Sequence, residues 1–232
     1  QDAKDLLTYL AQYEPLGVFP LIQEYCPGRG VGHMFLARDG DVLIEFQHER
    51  VHEWPPEGGV STVCRAVPLA EFSKARERSR ALIGRLKWTG IAMVEYRYDE
   101  KSDSWYFLEI NGRFWGSLPL AINAGIPFAA GLVAGIGAGN DAPEYAHNYS
   151  RRLCLYWIPE TKRLFRILFQ RKLISDPFFK VQPLREIALY FCYLLHPLTS
   201  FYLFSWRDPK PFFCDLKNTF VKFISISKKI AS

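Results

Sequence analysis

The chain has 232 residues and is 49% hydrophobic, so it can bury a substantial core in one large domain or two small ones. Residues 1–150 carry 14 Lys/Arg against 19 Asp/Glu, whereas residues 151–232 carry 15 against 5, a split that predicts two modules, the second facing something anionic. The five cysteines include no C-x-x-C pair, which argues against a zinc site or disulfide framework and favours a reducing, cytoplasmic compartment.

The first 60 residues read as one helix followed by short strands and glycine-rich turns. Residues 2–13 have the apolar stripe of an amphipathic helix, and FPLIQEY at 19–25 predicts a short strand. The stretch CPGRGVGH at 26–33 favours a loop between strands, with backbone contact to a phosphate as the alternative. Two apolar runs around Asp39-Gly40 predict a hairpin, and on its second strand His48 and Arg50 share one face.

The next 80 residues alternate between strand and helix patterns. The sequence predicts a strand at STVCRAV, a helix over 68–88 with Pro68 in its first turn, and a second hairpin formed by GIAMVEYRYD and SWYFLEING. Helical patterns follow at about 117–124 and 127–137.

The second hairpin carries an unusual set of polar residues. Side chains alternate along a strand, so Glu109, Asn111 and Arg113 share one face. If the turn centres on Ser102, Glu95 directly faces Glu109, and two facing carboxylates repel each other unless a cation lies between them. Carboxylate and amide oxygens, completed by water and phosphate, are how proteins hold Mg²⁺ at nucleotide sites.

This pattern leaves an alternative open. A solvated strand face with unrelated acids fits the alternation equally well, and a register slip of one residue would remove the direct pairing. In the metal interpretation, Arg113 lies where it could contact a transferring phosphoryl group.

The C-terminal third combines positive charge with aromatic residues. RRLCLYW at 151–157 predicts a strand, and helical patterns with proline breaks follow, including the basic, aromatic stretch at 161–173. Residues 187–206 carry no Asp, Glu, Lys or Arg, but His196-Pro197 interrupts them. Two interpretations remain: short core helices around Pro197 that pack against the rest, or an interfacial element on an anionic membrane. No nucleic-acid-binding module is recognisable.

Three stretches resemble the ATP-grasp superfamily in its carboxylate–amine ligase branch, which includes biotin carboxylase and the large chain of carbamoyl phosphate synthetase. They are QEYCPGRGVG at 23–32, MVEYRYD at 93–99 and LEINGRFWGSLPLAINAGIPF at 108–128. An E-x-N-x-R strand followed by a helix is the family's metal-binding signature, and the likeness covers roughly residues 1–140. The resemblance implies an α+β fold, with a mostly antiparallel ATP-grasp sheet flanked by helices and a basic, aromatic-rich helical C-terminal extension.

The resemblance also implies roles for individual residues. Glu95, Glu109 and Asn111 would bind Mg²⁺ or Mn²⁺, and Arg113 and Arg50 would act on the transferring phosphate. The backbone of a strand containing Gln23, Glu24, Tyr25 and Cys26 would read the adenine of ATP. The implied division is 1–25 as the end of the first ATP-grasp lobe, 26–140 as the second lobe, and 141–232 as the extension.

The implied activity is that of an ATP- and Mg²⁺-dependent ligase that joins a small-molecule carboxylate to an amine through an acyl phosphate. No strand with a phosphate-contacting lysine precedes residue 25, so we expect the catalytic apparatus to be incomplete in this chain. The alternatives are a non-catalytic nucleotide-binding remnant and a module that binds a membrane surface through its basic tail. Expected partners exclude nucleic acid and leave a homodimer open. The expected location is the cytoplasm or the inner membrane face.

Overall fold

The computed structural model describes residues 3–56, 58–137, 149–174 and 179–230, with side chains of that last range described up to residue 222. Seven strands form one sheet: β1 (Arg29–Arg38), β2 (Asp41–Trp54), β3 (Val60–Ala66), β4 (Gly90–Asp99), β5 (Ser104–Asn111), β6 (Leu153–Leu155) and β7 (Thr199–Phe201). Their order is β5-β4-β1-β2-β3-β6-β7, and every neighbouring pair is antiparallel except β6 and β7. The predicted α+β fold with a mostly antiparallel sheet is confirmed.

Seven α-helices accompany the sheet in the described part of the chain. They are α1 (Ala3–Ala11), α2 (Ser73–Arg85), α3 (Leu118–Asn123), α4 (Phe128–Leu132), α5 (Trp157–Phe169), α6 (Pro183–Leu195) and α7 (Lys210–Ile230). Ile83 of α2 packs with Phe35, whereas Phe128 of α4 packs in a cluster with Leu36. Because adjacent residues of β1 point to opposite sides, α2 and α4 cover opposite faces of the sheet.

The first hairpin forms where the sequence predicts it. Arg38 pairs with Asp41, so Asp39 and Gly40 are the two turn residues, and their φ angles of 51° and 92° are those of a type I′ turn. The right-handed twist of the paired strands favours this turn, which explains why Asp-Gly was an informative signal.

Residues 29–33 of the glycine-rich stretch belong to a strand rather than to the predicted loop, because β1 begins at Arg29, whereas residues 26–28 lie outside any strand. A side chain at Gly30 would bring its Cβ within 2.8 Å of Arg50 Cδ, and one at Gly32 would lie 2.7 Å from His48 Nε2. The two glycines therefore leave room for the Arg50 and His48 side chains to lie across β1.

The second hairpin places Glu95 directly opposite Glu109, as predicted. The predicted turn centre was wrong, however: Asp99 pairs with Ser104, which centres the turn between residues 101 and 102. A register shift beside Tyr96 inserts one extra residue into β5 and restores the Glu95–Glu109 pairing.

Helix α2 is shorter than the predicted helix over 68–88. Pro68 lies in a preceding turn, in which its carbonyl accepts a hydrogen bond from the Glu71 amide at 2.9 Å. Ala75, Ser79 and Ile83 are spaced by four residues and form the buried stripe of the helix.

The N-terminal segment contains helix α1 as predicted, but residues 18–27 do not form the predicted strand. A strand needs a hydrogen-bonded neighbour, and no strand of the described chain pairs with this segment. The apolar side chains of Leu21 and Val18 are 83% and 70% exposed.

The C-terminal third extends the same sheet through β6 and β7. The predicted pair of helices around Pro197 was wrong, because α6 ends at Leu195 and strand β7 starts at Thr199. Glu160 of α5 is buried and bonds to His52 of β2 at 2.7 Å. Within the described residues, no helix has the length and apolarity needed to cross a membrane.

Candidate functional site

A cleft of about 420 Å³ opens on the sheet face where β4 and β5 carry their acidic residues. Its wall includes five of the predicted site residues together with residues from β3, the loop before α3, and the C-terminal third. The lining residues are Arg50, Gly59, Val60, Ser61, Met93, Glu95, Glu109, Asn111, Arg113, Trp115, Gly116, Ser117, Tyr156 and Tyr202.

The two predicted metal carboxylates converge on one amide group. Asn111 Nδ2 donates to Glu95 Oε1 at 2.9 Å and to Glu109 Oε1 at 2.8 Å. A single amide nitrogen therefore bridges the carboxylates of Glu95 and Glu109. This is the convergence that the alternation of the hairpin predicts.

Arg50 completes the charge balance at Glu95. Its Nη2 donates to Glu95 Oε2 at 2.5 Å, and its Nη1 donates to Glu53 Oε1 at 3.2 Å. The stem of Arg50 crosses β1 above Gly30, so the local sequence of β1 determines where this guanidinium lies.

The Glu95 carboxyl is only partly solvated, with its side chain 10% exposed. Burial raises the pKa of Glu95 above its usual value, Arg50 opposes this increase, and the facing Glu109 adds to it. A cation that binds between the two carboxylates would remove the repulsion between them.

Arg113 lies beside these residues but not on their strand. Strand β5 ends at Asn111, and Arg113 belongs to the loop that leads to α3, where its Nη1 donates to the Phe114 carbonyl at 3.2 Å. Buried Trp115, whose ring centroid is 5.0 Å from that of Phe128, anchors this loop to the core. The guanidinium is exposed at the cleft wall and has donors available for an anion.

The predicted nucleotide-binding residues line an adjoining cavity of about 750 Å³. Gln23, Glu24, Tyr25 and Cys26 form one wall, and Arg97, Phe107, Leu108 and Glu109 form the other. Glu109 borders both cavities, so the structure brings the predicted adenine and metal positions next to each other.

Three residues in or beside the cleft that contribute contacts were not predicted: Ser117 and Tyr202 line it, and Glu53 lies next to it through its contact with Arg50. Glu53 contacts Arg50 although it is three positions away, because two register shifts between Arg50 and Glu53 disrupt the alternation of β2. Ser117 bonds to Nδ1 of buried His48 at 2.9 Å, and burial lowers the pKa of His48 well below its usual value. Tyr202 follows β7, whose pairing with distant β6 no local pattern reveals.

The donor set fits a hard divalent cation. Within the described residues no group of three or more His, Cys, Asp or Glu is placed to hold a metal, so the candidate set is two carboxylates and one amide. Mg²⁺ is commonly held by one or two carboxylates, with water and substrate phosphates as the remaining ligands. Rotating the Asn111 amide by half a turn would present its oxygen where its nitrogen now bridges Glu95 and Glu109.

Comparisons with known proteins give a family match and several partial relatives. Residues 62–144 match the family described as "Carbamoyl-phosphate synthase L chain, ATP binding domain". A urea amidolyase from Lachancea kluyveri is 25% identical over 119 residues, which are 51% of this chain and 6% of that protein. The chain therefore spans a small part of this relative.

Solved structures match parts of this chain. The biotin carboxylase domain of a thermophilic 2-oxoglutarate carboxylase, bound to bicarbonate, matches with a TM-score of 0.50 and 17% identity over 66% of this chain and 37% of that chain. A Rhizobium etli pyruvate carboxylase with acetyl coenzyme A matches with a TM-score of 0.46 and 18% identity over 64% of this chain and 17% of that chain. Residues 62–144, which carry Glu95, Glu109, Asn111 and Arg113, therefore match the ATP-binding domain of that family, and the biotin carboxylase domain shares part of the fold.

Proposed function

We propose that this chain supplies the metal- and nucleotide-binding part of an ATP-dependent carboxylate–amine ligase. One observation carries the proposal: Glu95 and Glu109 converge on Asn111 within the range that matches the ATP-binding family. A purely structural ion network would pair each carboxylate with a cation, but here Glu109 is exposed and receives the Asn111 amide.

The proposed reaction has two steps. An oxygen of the substrate carboxylate attacks the γ-phosphorus of ATP, the bond to the β–γ bridging oxygen breaks, and ADP leaves. The nitrogen of the amine then attacks the acyl carbon, phosphate departs, and the nitrogen loses a proton to give the amide. The acid and the amine are small molecules.

Glu95, Glu109 and the oxygen of Asn111 would hold Mg²⁺ or Mn²⁺. When bound, this ion neutralises charge on the terminal phosphates of ATP. Arg113 and Arg50 border the same cleft and would stabilise the negative charge that develops on the transferring group. The acyl phosphate needs protection from water, and Tyr156 and Tyr202 of the C-terminal third form the side of the cleft that would exclude it.

The adjoining cavity gives the nucleotide its proposed position. Backbone groups of Gln23, Glu24, Tyr25 and Cys26 would contact adenine, and the phosphates would extend past Glu109 towards the cleft. In this scheme residues 1–25 belong to a first lobe, residues 26–140 form the second lobe, and residues 141–232 are an extension.

The Glu109→Gln variant tests the metal assignment. Replacing one oxygen ligand with an amide should lower Mg²⁺-dependent ATP turnover by at least about 100-fold, because the remaining donors neutralise the terminal phosphates poorly. Turnover is measured by phosphate release from the intact protein. Exposed Glu100, on the turn of the same hairpin, gives the matched control Glu100→Gln.

Unchanged turnover in Glu109→Gln would refute the metal assignment. A non-catalytic remnant predicts a different result: calorimetry would show that Mg·ATP binds, but no acid and amine pair would cause phosphate release.

A specific surface favours membrane attachment as a second candidate function. Phe213, Leu216 and Phe220 form one stripe on α7 and are 57%, 46% and 65% exposed, and nearby Trp206 is 91% exposed. The neighbouring cations include Arg207, Lys210 and Lys217. Apolar residues beside cations suit an interfacial helix on an anionic membrane. The chain would then act at the inner face of the membrane.

Vesicle sedimentation tests this second candidate with the variant Phe213→Ser/Phe220→Ser. Pelleting with phosphatidylserine-containing vesicles should fall about tenfold, since each lost phenyl ring removes apolar burial. The control Leu21→Ser removes a still more exposed apolar side chain, 83% exposed, from the N-terminal segment. Equal pelleting of both variants contradicts the membrane assignment, and loss of a dimer in the double variant would assign the stripe to a second copy.

A further inference from the structure

Arg50 contacts a carboxylate that the proposed metal site needs. The distance from Arg50 Nη2 to Glu95 Oε2 is 2.5 Å, whereas the distance from Nη1 to Glu53 Oε1 is 3.2 Å. The Arg50 and Glu95 side chains are 21% and 10% exposed, so water screens the contact only partly. Short hydrogen bonds between ionised partners are among the strongest side-chain contacts.

Both oxygens of Glu95 are already engaged in this arrangement. Oε1 accepts from Asn111 and Oε2 accepts from Arg50. A divalent cation at Glu95 and Glu109 would replace the Arg50 contact or lie next to a guanidinium of like charge. In a partly buried cleft such repulsion is strong, so the cation and Arg50 compete for Glu95.

Glu53 offers Arg50 a second position. Its carboxylate receives Arg50 Nη1 and Arg97 Nη2, each at 3.2 Å. The guanidinium of Arg50 therefore lies between Glu53 and Glu95. The absence of a side chain at Gly30 leaves space for the Arg50 stem, whose Cδ would lie 2.8 Å from a Cβ there.

We propose that Arg50 closes the metal site by occupying Glu95, and that it yields Glu95 to a divalent cation by shifting its hydrogen bonds to Glu53. The inference rests on the proposed function only in taking Glu95 and Glu109 as metal ligands. Arg50 then sets the cation affinity below the value that the two carboxylates and Asn111 would give alone.

Binding of Mn²⁺, measured as loss of the free-ion electron paramagnetic resonance signal, tests this competition without any turnover. Arg50→Met keeps most of the aliphatic stem and removes the charge, so Mn²⁺ should bind about tenfold tighter. Glu53→Gln weakens the alternative position and keeps Arg50 on Glu95, so Mn²⁺ should bind severalfold more weakly.

Arg97→Met is the matched control. Arg97 also contacts Glu53, but its described contacts are with Glu53 and the Gly28 carbonyl rather than with Glu95. Its removal changes the net charge of the region as Arg50→Met does, and the affinity for Mn²⁺ should change less than about threefold, because Arg97 has no described contact with Glu95 or Glu109 and its removal leaves Arg50 on Glu95.

Equal affinity in the wild type and Arg50→Met would overturn the inference. Equal tightening in Arg97→Met would also overturn it, since the effect would then be one of net charge. Thermal melting checks the folding of each variant; if Arg50→Met does not fold, an unchanged affinity in Glu53→Gln overturns the inference. Absence of Mn²⁺ binding in every folded variant would refute the metal assignment itself. Mn²⁺ binding whose affinity is the same with and without Arg50 would refute only the competition between Arg50 and the cation.

Discussion

Glutamates on the two faces of the sheet have different hydrogen-bonding partners. On the face covered by α2, Glu45 receives Arg76 at 2.6 and 2.7 Å and Arg80 at 2.8 Å. Glu49 on the same face is bound by Arg29 at 2.9 Å and by Arg65 at 2.8 Å. In the cleft, Glu95 and Glu109 share the amide of Asn111, and of these two described carboxylates Glu95 is the one that contacts an arginine.

This difference in hydrogen-bonding partners distinguishes carboxylates that stabilise the fold from carboxylates that are candidate metal ligands. Two guanidinium groups neutralise each glutamate of the covered face, so its negative charge is already compensated without a metal. The cleft carboxylates instead lie opposite one another, and their mutual repulsion is only partly compensated. Carboxylates that face each other across a ladder and share a donor are therefore better site indicators than buried carboxylates as such.

Among the variants that compare the two faces, Glu45→Gln should show the largest effect, which is a loss of stability. The Glu45 side chain is 1% exposed, and its loss of charge leaves Arg76 and Arg80 without their anion. We expect the free energy of unfolding to fall by about 3 kcal/mol, the low end for breaking a buried ion pair, because both arginines reach water. Urea denaturation measures this change in the free energy of unfolding.

Binding of Mn²⁺ by Glu45→Gln should equal that of the wild type, since Glu45 lies on the opposite face from the cleft. If the substitution weakened Mn²⁺ binding while leaving stability unchanged, the division between the two faces would be wrong.

The covered face also predicts how stability depends on pH. Burial lowers the pKa of His33 from 6.5 to about 4, although the charge of nearby Glu45 opposes this shift. The depressed pKa stabilises the folded state above pH 6.5, and this contribution is lost as the pH falls towards 4. We expect a loss of about 2 kcal/mol between about pH 7 and 5 from His33.

Variants separate this contribution from the acid titration of the rest of the chain. His33→Asn removes the imidazole that bonds Ser79 at 2.8 Å and should flatten the curve of unfolding free energy against pH. Exposed His196 provides the control His196→Asn. A curve that is equally steep in His33→Asn would exclude His33 as the source, and would leave His48, whose pKa burial also lowers.

The sequence alone predicted the parts of the site that depend on local alternation. Asp39-Gly40 indicated the first hairpin, and alternation within two neighbouring strands placed Glu95 opposite Glu109. Glu95 pairs with Glu109 although the turn centre differs from the predicted one, because a bulge next to Tyr96 shifts the register by one residue.

What the sequence missed depends on non-local pairing. The strand expected at 19–25 failed because apolar composition does not supply a neighbouring strand. Glu53 was missed because two shifts in the register of β2 change the face on which it lies. Tyr202 reaches the cleft only through the parallel pairing of β6 with β7, which are more than 40 residues apart.

A smaller loss of stability is expected from a substitution in β1 beneath the Arg50 side chain. Gly30→Ala would place its Cβ 2.8 Å from Arg50 Cδ and displace the stem, so we expect a loss of about 1–2 kcal/mol in unfolding free energy. Gly116→Ala is the control, since a Cβ there would meet nothing within 4 Å. Thermal melting compares the two variants, and equal melting temperatures would show that Arg50 does not depend on the space above Gly30.

The smallest effect on stability is expected for the carboxylate that matters most to the proposed function. Glu109 is exposed and faces Glu95, so Glu109→Gln removes a repulsion and keeps the size of the side chain. The free energy of unfolding should stay within about 0.5 kcal/mol of the wild-type value, or rise slightly. Urea denaturation and Mn²⁺ binding, measured on the same preparation, should therefore diverge: stability is kept and metal binding is lost. A loss of several kcal/mol would instead make Glu109 a structural carboxylate like Glu45, and the contrast between the faces would disappear.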